Sequence, residues 1–411
     1  MRREREMKNE ELLAAVRSRL AGEDEVSDER ALALIAEELF ADVSAEEQKL
    51  DVLREQLRST FYRTRSRLGI LKPLLDDAEI TEIMVNGPET IFIEKNGIVS
   101  RSEIAFAGVQ ELEELMQDMA AAVHREINEL NPIVDARLAD GSRVSGVYKN
   151  IALNGPILTI RKFQDRYMSM SELIGNGTLS EEGALLLTAL TRCGYNIFVS
   201  GGTSSGKTTL LNALSEAIPA RERVIVIEDS AELVFSHIEN LVRLECRQAS
   251  AFGRGKISMS QLIRASLRMR PDRIIVGEVR GEEVLDMLQA MNTGHAGSMS
   301  TGHGNSVNGM LRRLEAMYMM AMPLDIHAIR TQIAEGIDIM VHVEKRGEKR
   351  LVTEICELAG YEEGNFVLNQ LMSAGTDRQL TLTGRRLAVR NKLARGEEAE
   401  LAGLQKLGII D

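Results

Sequence analysis

The chain contains no tryptophan, and aromatic residues make up only 4% of it. That composition argues against the stacking platforms that proteins use to grip single-stranded nucleic acid. Basic residues are not in excess: Lys+Arg 50 against Asp+Glu 62 gives a formal charge of −12, so bulk electrostatics favour neither nucleic acid nor an anionic membrane surface. The three cysteines, Cys193, Cys246 and Cys356, lie far apart and form no C-x-x-C pair. Neither a zinc ribbon nor a disulfide framework is expected, and a reducing compartment fits best. No run approaches the roughly twenty apolar residues of a membrane span. The charged start, Met1 to Glu6, is not followed by an apolar signal core, so the reading is cytosolic.

What is present is ordinary globular material, 44% hydrophobic and 27% charged over 411 residues, enough for two or three domains. Residues 1–65 read as a charged helical extension. Leu12, Leu13, Val16 and Leu20 repeat at helical spacing, as do Leu32, Leu34, Ile35, Leu39 and Phe40, and then Leu50, Leu53, Leu57 and Phe61. Residues 66–164 read as a smaller α+β domain. Its strands are expected at Ile83–Val85, Thr90–Glu94, Val134–Arg137, Arg143–Tyr148 and Leu158–Arg161, with turns at Asn86-Gly87-Pro88, Asn96-Gly97 and Asp140-Gly141. A helix is expected over Gln110–Leu130. A linker begins at Phe163 to Ser171 and occupies 165–179. Residues 180–365 read as a mostly parallel α/β domain, because Val224–Ile227 and Arg273–Gly277 are continuous apolar runs of the kind buried on both faces of a sheet. Residues 366–411 read as a polar, partly helical tail.

The most informative stretch is Gly201-Gly202-Thr203-Ser204-Ser205-Gly206-Lys207-Thr208, which fits the phosphate-loop pattern G-x-x-x-x-G-K-[ST] in full. Ile197–Ser200 ahead of it reads as a buried strand, and Thr209–Leu214 behind it as a helix start. That context aims a nest of backbone N–H groups at one point. Lys207 then reaches the terminal phosphates of a nucleotide, and the Thr208 hydroxyl suits Mg²⁺. Two acids follow buried strands: Glu228, with Asp229 after it, and Glu278. Strand C-termini in an open parallel sheet share one edge with the phosphate loop, so both acids are candidates for handling the attacking water. His295 and His303 lie in a small-residue polar segment that reads as a switch loop. Their x₇ gap and lack of a third ligand make them a poor metal pair. His124, His237, His327 and His342 read as structural.

These motifs together resemble one family, the secretion ATPases of type II secretion, type IV pili and type IV secretion. The closest resemblance is to its CpaF/TadA branch, which powers Flp/Tad pilus assembly. Gly201–Thr209 is similar to that family's Walker A motif and Val226–Leu233 to its Asp box. Leu267–Gly281 is similar to its Walker B region, and Gln289–His295 with Ser300–His303 to its His box. Pro132–Leu138 with Asp140–Val144 resembles its N-terminal domain. The resemblance covers about residues 70–365. It implies a RecA-like core, ATP and Mg²⁺ as ligands, and a ring-forming hexamer working on the cytoplasmic side of an inner-membrane platform protein, with no membrane insertion and no nucleic acid. It further implies that Arg143 and Arg161 bring charge to the terminal phosphates, and that Glu278 and Thr208 attend the metal. Gly277 stands where other phosphate-loop enzymes carry an acid, as is usual in this family. Gly304 replaces a common alanine and Lys149-Asn150 a frequent Pro-Pro. The four-cysteine module of type II members is missing. Three other readings stand beside this one: the ATPase of a type IV secretion channel, a nucleic-acid motor, which would need a basic channel, and a non-hydrolysing nucleotide-binding scaffold.

Overall fold

A computed structural model describes residues 14–18, 28–41, 57, 60–61, 68–163, 168–247, 249, 254–347, 349–375 and 379–411. The amphipathic patterns expected at Leu12–Leu20 and Glu46–Phe61 lie largely outside these. The chain divides into two compact units, 1–164 and 165–411.

In the first unit, helix α1 (Asp28–Ala41) buries Ala31, Leu34 and Ile35, the spacing the sequence showed. After a short helix α2 (Lys72–Asp76) come strands β1 (Ile80–Asn86), β2 (Ile91–Lys95) and β3 (Ile98–Arg101), helix α3 (Val109–Ala122), and strands β4 (Ile133–Arg137), β5 (Arg143–Val147) and β6 (Ile157–Arg161). They form one antiparallel sheet in the order β3-β2-β1-β6-β5-β4. Helix α3 lays Leu112, Leu115, Met116 and Met119 into a core with Ile83, Val144, Leu158 and Ile160. It stops eight residues short of the expected end. His124 takes a left-handed φ of 57°, and the Asn128 side chain accepts from the N–H groups of Leu130 and Asn131, turning the chain. The Lys149-Asn150 departure has a local account: Lys149 pairs with the largely buried Glu113 at 2.9 Å, and the Asn150 amide donates to the Glu129 carbonyl.

The second unit begins with α4 (Met170–Gly175), opened by a Ser169/Glu172 capping box, and α5 (Glu181–Arg192), capped by Ser180. Residues expected to be linker are therefore structured, with Leu173 and Leu179 in the core. Strand β7 (Ile197–Gly201) leads into α6 (Lys207–Ser215). Then follow β8 (Val224–Glu228), β9 (Leu241–Glu245), α7 (Met259–Ser266), β10 (Arg273–Val279), α8 (Glu283–Asn292), β11 (Met299–His303), α9 (Val307–Ala321), α10 (Ile326–Gly336) and β12 (Ile339–Arg346). Six strands run parallel in the order β12-β7-β11-β10-β8-β9. The apolar runs of β7, β8 and β10 are buried on both faces, as their composition predicts.

The sheet does not end at residue 365. Strands β13 (Lys349–Glu362), β14 (Asn365–Ala374) and β15 (Leu380–Leu382) extend it antiparallel beyond β12, and α11 (Glu398–Lys406) packs on α5. The expected polar tail is thus part of the fold. Leu371, Met372, Leu387, Leu404 and Ile409 are in the same core as β7, and buried Glu357 accepts from the N–H groups of Ala388 and Val389.

Candidate functional site

Parallel pairing builds the site at the C-terminal edge of the large sheet. Gly201 at the end of β7 stands in register with His303 at the end of β11 on one side and with Val343 of β12 on the other. The loop from Gly201 to Gly206 then folds over this edge. A Cβ on Gly201 would lie 2.4 Å from the Val343 carbonyl and 2.5 Å from Ser205 Oγ, so nothing larger than glycine fits there. Ser204 and Gly206 both have left-handed backbone, with φ of 56° and 98°, and Gly206 caps α6. Strand, loop and helix N-terminus thus meet as the phosphate-loop motif requires, with Lys207, Thr208 and Thr209 opening the helix.

Lys207 is buried, and its ammonium donates to the carbonyls of Gly201 (3.2 Å) and Gly202 (2.8 Å). It also faces Nδ1 of His303 at 3.3 Å. An ammonium only donates, so Nδ1 is the acceptor and the imidazole proton sits on Nε2. That nitrogen lies 2.8 Å from Oε1 of Glu278. Burial, together with the nearby Lys207, Arg280 and Arg313 cations, holds His303 below the ordinary histidine value although Glu278 pulls the other way. The neutral form that the geometry requires is therefore the protonation state its surroundings favour.

Glu278 reaches this position through an irregularity. The β10–β11 register shifts between Val276 and Val279, which re-aims the residues between them. Its Oε2 accepts from Arg280 at 3.0 Å, and Arg280 also approaches Asp229 at 3.6 Å. Its Oε1, although within ion-pair range of His303, is buried with no donor at hydrogen-bonding geometry among the described residues; so is Ser205 Oγ within the loop. Orphaned buried polar atoms beside the loop are compatible with a magnesium ion that would arrive with a nucleotide, for which Thr208 and Glu278 would be the residues to hand. Among the described residues there is no cluster of three or more His, Cys, Asp or Glu that could hold a metal unaided.

Glu228 is placed differently. It is 3% exposed, and Oε1 accepts from the N–H groups of Glu232 (2.8 Å) and Leu233 (2.9 Å). Burial pushes its carboxyl up to about 7, an effect the two backbone donors moderate. Its Cγ lies 3.0 Å from where a Cβ on Gly277 would stand, which accounts for the glycine before Glu278: an acid at 277 would collide with Glu228.

The other expected residues are elsewhere. His295 precedes β11, at the opposite edge of the sheet from His303, a five-residue strand away or about 13 Å at ~3.3 Å per step. Its Nδ1 faces the Ala290 carbonyl. The structure does not bring it to the loop. Arg143 and Arg161 belong to the first unit, where they are directly paired across β5 and β6. Arg137 is paired with Arg143 across β4 and β5, so three arginines share one row and one face. Arg137 was not visible as a candidate in sequence, nor were Arg280 or Arg350. Arg350 Nε donates to the Ser204 carbonyl at 3.1 Å. The three thiols are pushed up by burial, Cys193 and Cys246 to about 11 and Cys356 to about 12, which leaves them poor nucleophiles. No helix among the described residues is long and apolar enough to cross a membrane.

Comparison with known proteins adds an independent line. The family model described as type II/IV secretion system protein matches residues 64–392. The chain is 35% identical over 297 residues to a putative conjugal transfer protein of Mycobacterium tuberculosis, spanning 71% of this chain and 84% of that protein. It is 34% identical over 298 residues to the conjugal transfer protein TrbB of Rhizobium radiobacter (71% and 88%). It is 35% identical over 316 residues to the type IV secretion system protein PtlH of Bordetella pertussis (70% and 93%). Among solved structures it shares its fold with the Legionella pneumophila ATPase DotB, with a TM-score of 0.51 at 19% identity, over 72% of this chain and 81% of that one.

Proposed function

Because this chain belongs to the type II/IV secretion system protein family, we propose that it is the ATP-hydrolysing motor of a secretion or pilus machine. The observation that carries the reading is the line Lys207–His303–Glu278 beside a complete phosphate loop. The loop's backbone N–H groups and Lys207 hold the phosphates. Thr208 attends the metal, whose bound form supplies charge neutralisation on the phosphate oxygens. Glu278 orients water and takes its proton, and neutral His303 stands between Glu278 and the lysine that touches the phosphate and holds both in position. Glu228 is the second acid, buried and protonation-sensitive, and holds the chain after β8 in place. Arg143 and Arg161 add positive charge during turnover. This reading gives ATP hydrolysis by a RecA-like unit rather than a passive nucleotide-binding scaffold.

The machine served is a type IV secretion channel or a Flp/Tad pilus. The conjugal-transfer and type IV secretion relatives support the first, and the motif resemblance supports the second. Assembly into a hexameric ring on the cytoplasmic side of a membrane platform protein belongs to the same proposal, as does the absence of a nucleic-acid substrate. The primary test is phosphate release by the purified chain. Wild type should turn over ATP, and Lys207→Ala should lose both turnover and nucleotide affinity. Turnover by Lys207→Ala at the wild-type rate would overturn the assignment. Deleting the gene in its host and scoring surface pili and conjugal transfer separates the two machines. Loss of neither sinks both. Light scattering with Mg·ATP tests the ring, and a mass of one chain under all conditions removes it.

A further inference from the structure

The phosphate loop is supported from outside by a hairpin, and one residue of that hairpin carries the support. Strands β12 and β13 turn beside the loop: Val343 lies opposite Gly201, and the pair Arg350–Lys345 follows on the same ladder. From there Arg350 crosses to the loop. Its Nε donates to the Ser204 carbonyl at 3.1 Å, and its Cδ lies 3.3 Å from the position a Cβ on Gly206 would take. Ser204, which it touches, and Gly206, which it flanks, both have left-handed backbone. For Gly206 that conformation costs little. For Ser204 it is a strained state, which persists only when the surroundings enforce it. The bond runs to the carbonyl of the strained residue, so it fixes the peptide plane that follows, the one ending in the Ser205 N–H.

On the reading that this loop binds nucleotide phosphates, we infer that Arg350 is a positioning residue that locks the loop in its phosphate-accepting form by holding Ser204 in the left-handed region. It acts on affinity by removing the cost of ordering the loop when the nucleotide arrives. Its contact is with the loop backbone, so on this inference its effect depends on the strain at Ser204 and disappears when that strain is absent.

The test is a double-mutant cycle with Mg·ADP affinity, measured by titration calorimetry, as the readout. Arg350→Ala should weaken Mg·ADP about tenfold, which is about 1.4 kcal/mol. Ser204→Gly, whose own effect is measured separately, lets residue 204 adopt the left-handed state without strain. In that background Arg350→Ala should weaken binding by no more than about twofold. Equal losses in both backgrounds overturn the inference, because a direct phosphate contact or general damage would be indifferent to residue 204. No loss in either background overturns it too. A melting temperature close to wild type for Arg350→Ala shows that the fold is intact. If wild type itself fails to bind Mg·ADP, or if Lys207→Ala binds it as tightly as wild type, the failure lies with the nucleotide reading and not with Arg350.

Discussion

His303 and Glu278 meet at 2.8 Å, the histidine through Nε2 and the carboxylate through Oε1. The other ring nitrogen of His303 faces Lys207, so a residue on β11 couples the strand-end acid on β10 to the phosphate-loop lysine after β7. The arrangement has one sense: Nε2 carries the proton on the side of the carboxylate, within ion-pair range but off hydrogen-bonding geometry, and the lone pair on Nδ1 faces the ammonium.

Glu278→Gln keeps the shape of the acid and an oxygen to face His303, but an amide cannot accept a proton from water. Nucleotide affinity should stay near wild type while the turnover number falls about 10²-fold or more. Steady-state phosphate release together with Mg·ADP titration checks both halves. A dead Glu228→Gln beside an active Glu278→Gln would reverse the roles given to the two acids.

His303→Gln should lower turnover about tenfold or more, since the coupling between lysine and acid is broken. Stability provides a second readout. The folded value of His303 lies below its ordinary 6.5, so between those two values the unfolded chain binds more protons. Stability therefore falls as pH drops through that window, and the contribution is complete above it. Denaturant titrations at pH 5 and pH 8 should show a smaller pH difference for His303→Gln than for wild type.

Glu228 works in the opposite sense. Its carboxyl stands at about 7 in the fold against 4.5 when free, so the folded form binds the extra proton between those values. The cost of burying the charged form is fully expressed only above pH 7. Gln accepts the same two backbone N–H groups without that cost. Glu228→Gln should therefore match wild-type stability at pH 5 and exceed it at pH 8 by on the order of 1–3 kcal/mol. Thermal melts at both pH values measure this, and a gain that is equal at both contradicts the assigned cause.

Gly277→Asp restores the acid found at this position in other phosphate-loop enzymes. Here its Cβ would stand 3.0 Å from Glu228 Cγ, forcing two carboxylates together in a buried site. A loss of about 2–4 kcal/mol is expected. Gly277→Asp combined with Glu228→Gln should recover part of it, and denaturant unfolding of the three variants gives the coupling.

Arg143→Ala and Arg161→Ala should each lower the turnover number more than they weaken nucleotide binding, because charge that acts during turnover contributes little to the ground state. Pre-steady-state phosphate release, read beside Mg·ADP affinity, separates the two. Equal losses in both quantities would assign these arginines to ground-state binding.

The phosphate loop was legible in the sequence because its chemistry is local. Glycines, a lysine and a hydroxyl at fixed spacing mark the loop within eight residues, although the contact that steadies it, from Arg350, comes from far along the chain. The strands carrying Glu228 and Glu278 were legible as unbroken apolar runs. The extent of α3 was not, because the apolar pattern continues through Ile127 while the chain turns at His124 and Asn128. The β13–β14 hairpin was hidden by its polar residues: Gln370 bonds to Glu354 and Asn369 to Glu357 across the pair, so side chains that look like a solvated tail satisfy one another. The placing of His303 against Lys207, and of His295 away from it, depends on the parallel register of β7 and β11, which joins residues about a hundred positions apart. Spacing within the motif treats the two histidines alike, whereas the strand between them puts them at opposite edges.

Where the chain is cut decides whether the second unit keeps its sheet edge covered. Without β14, β13 would become the outermost strand, fourteen residues long, and would present an open ladder of N–H and C=O groups along with its apolar side chains. Glu357 would lose the Ala388 and Val389 donors that satisfy it, leaving a carboxylate with its backbone partners removed. A fragment ending at residue 364 is therefore a template for edge-to-edge aggregation, although it retains every recognisable nucleotide motif. A fragment for biochemical work has to carry its C-terminal strands and α11.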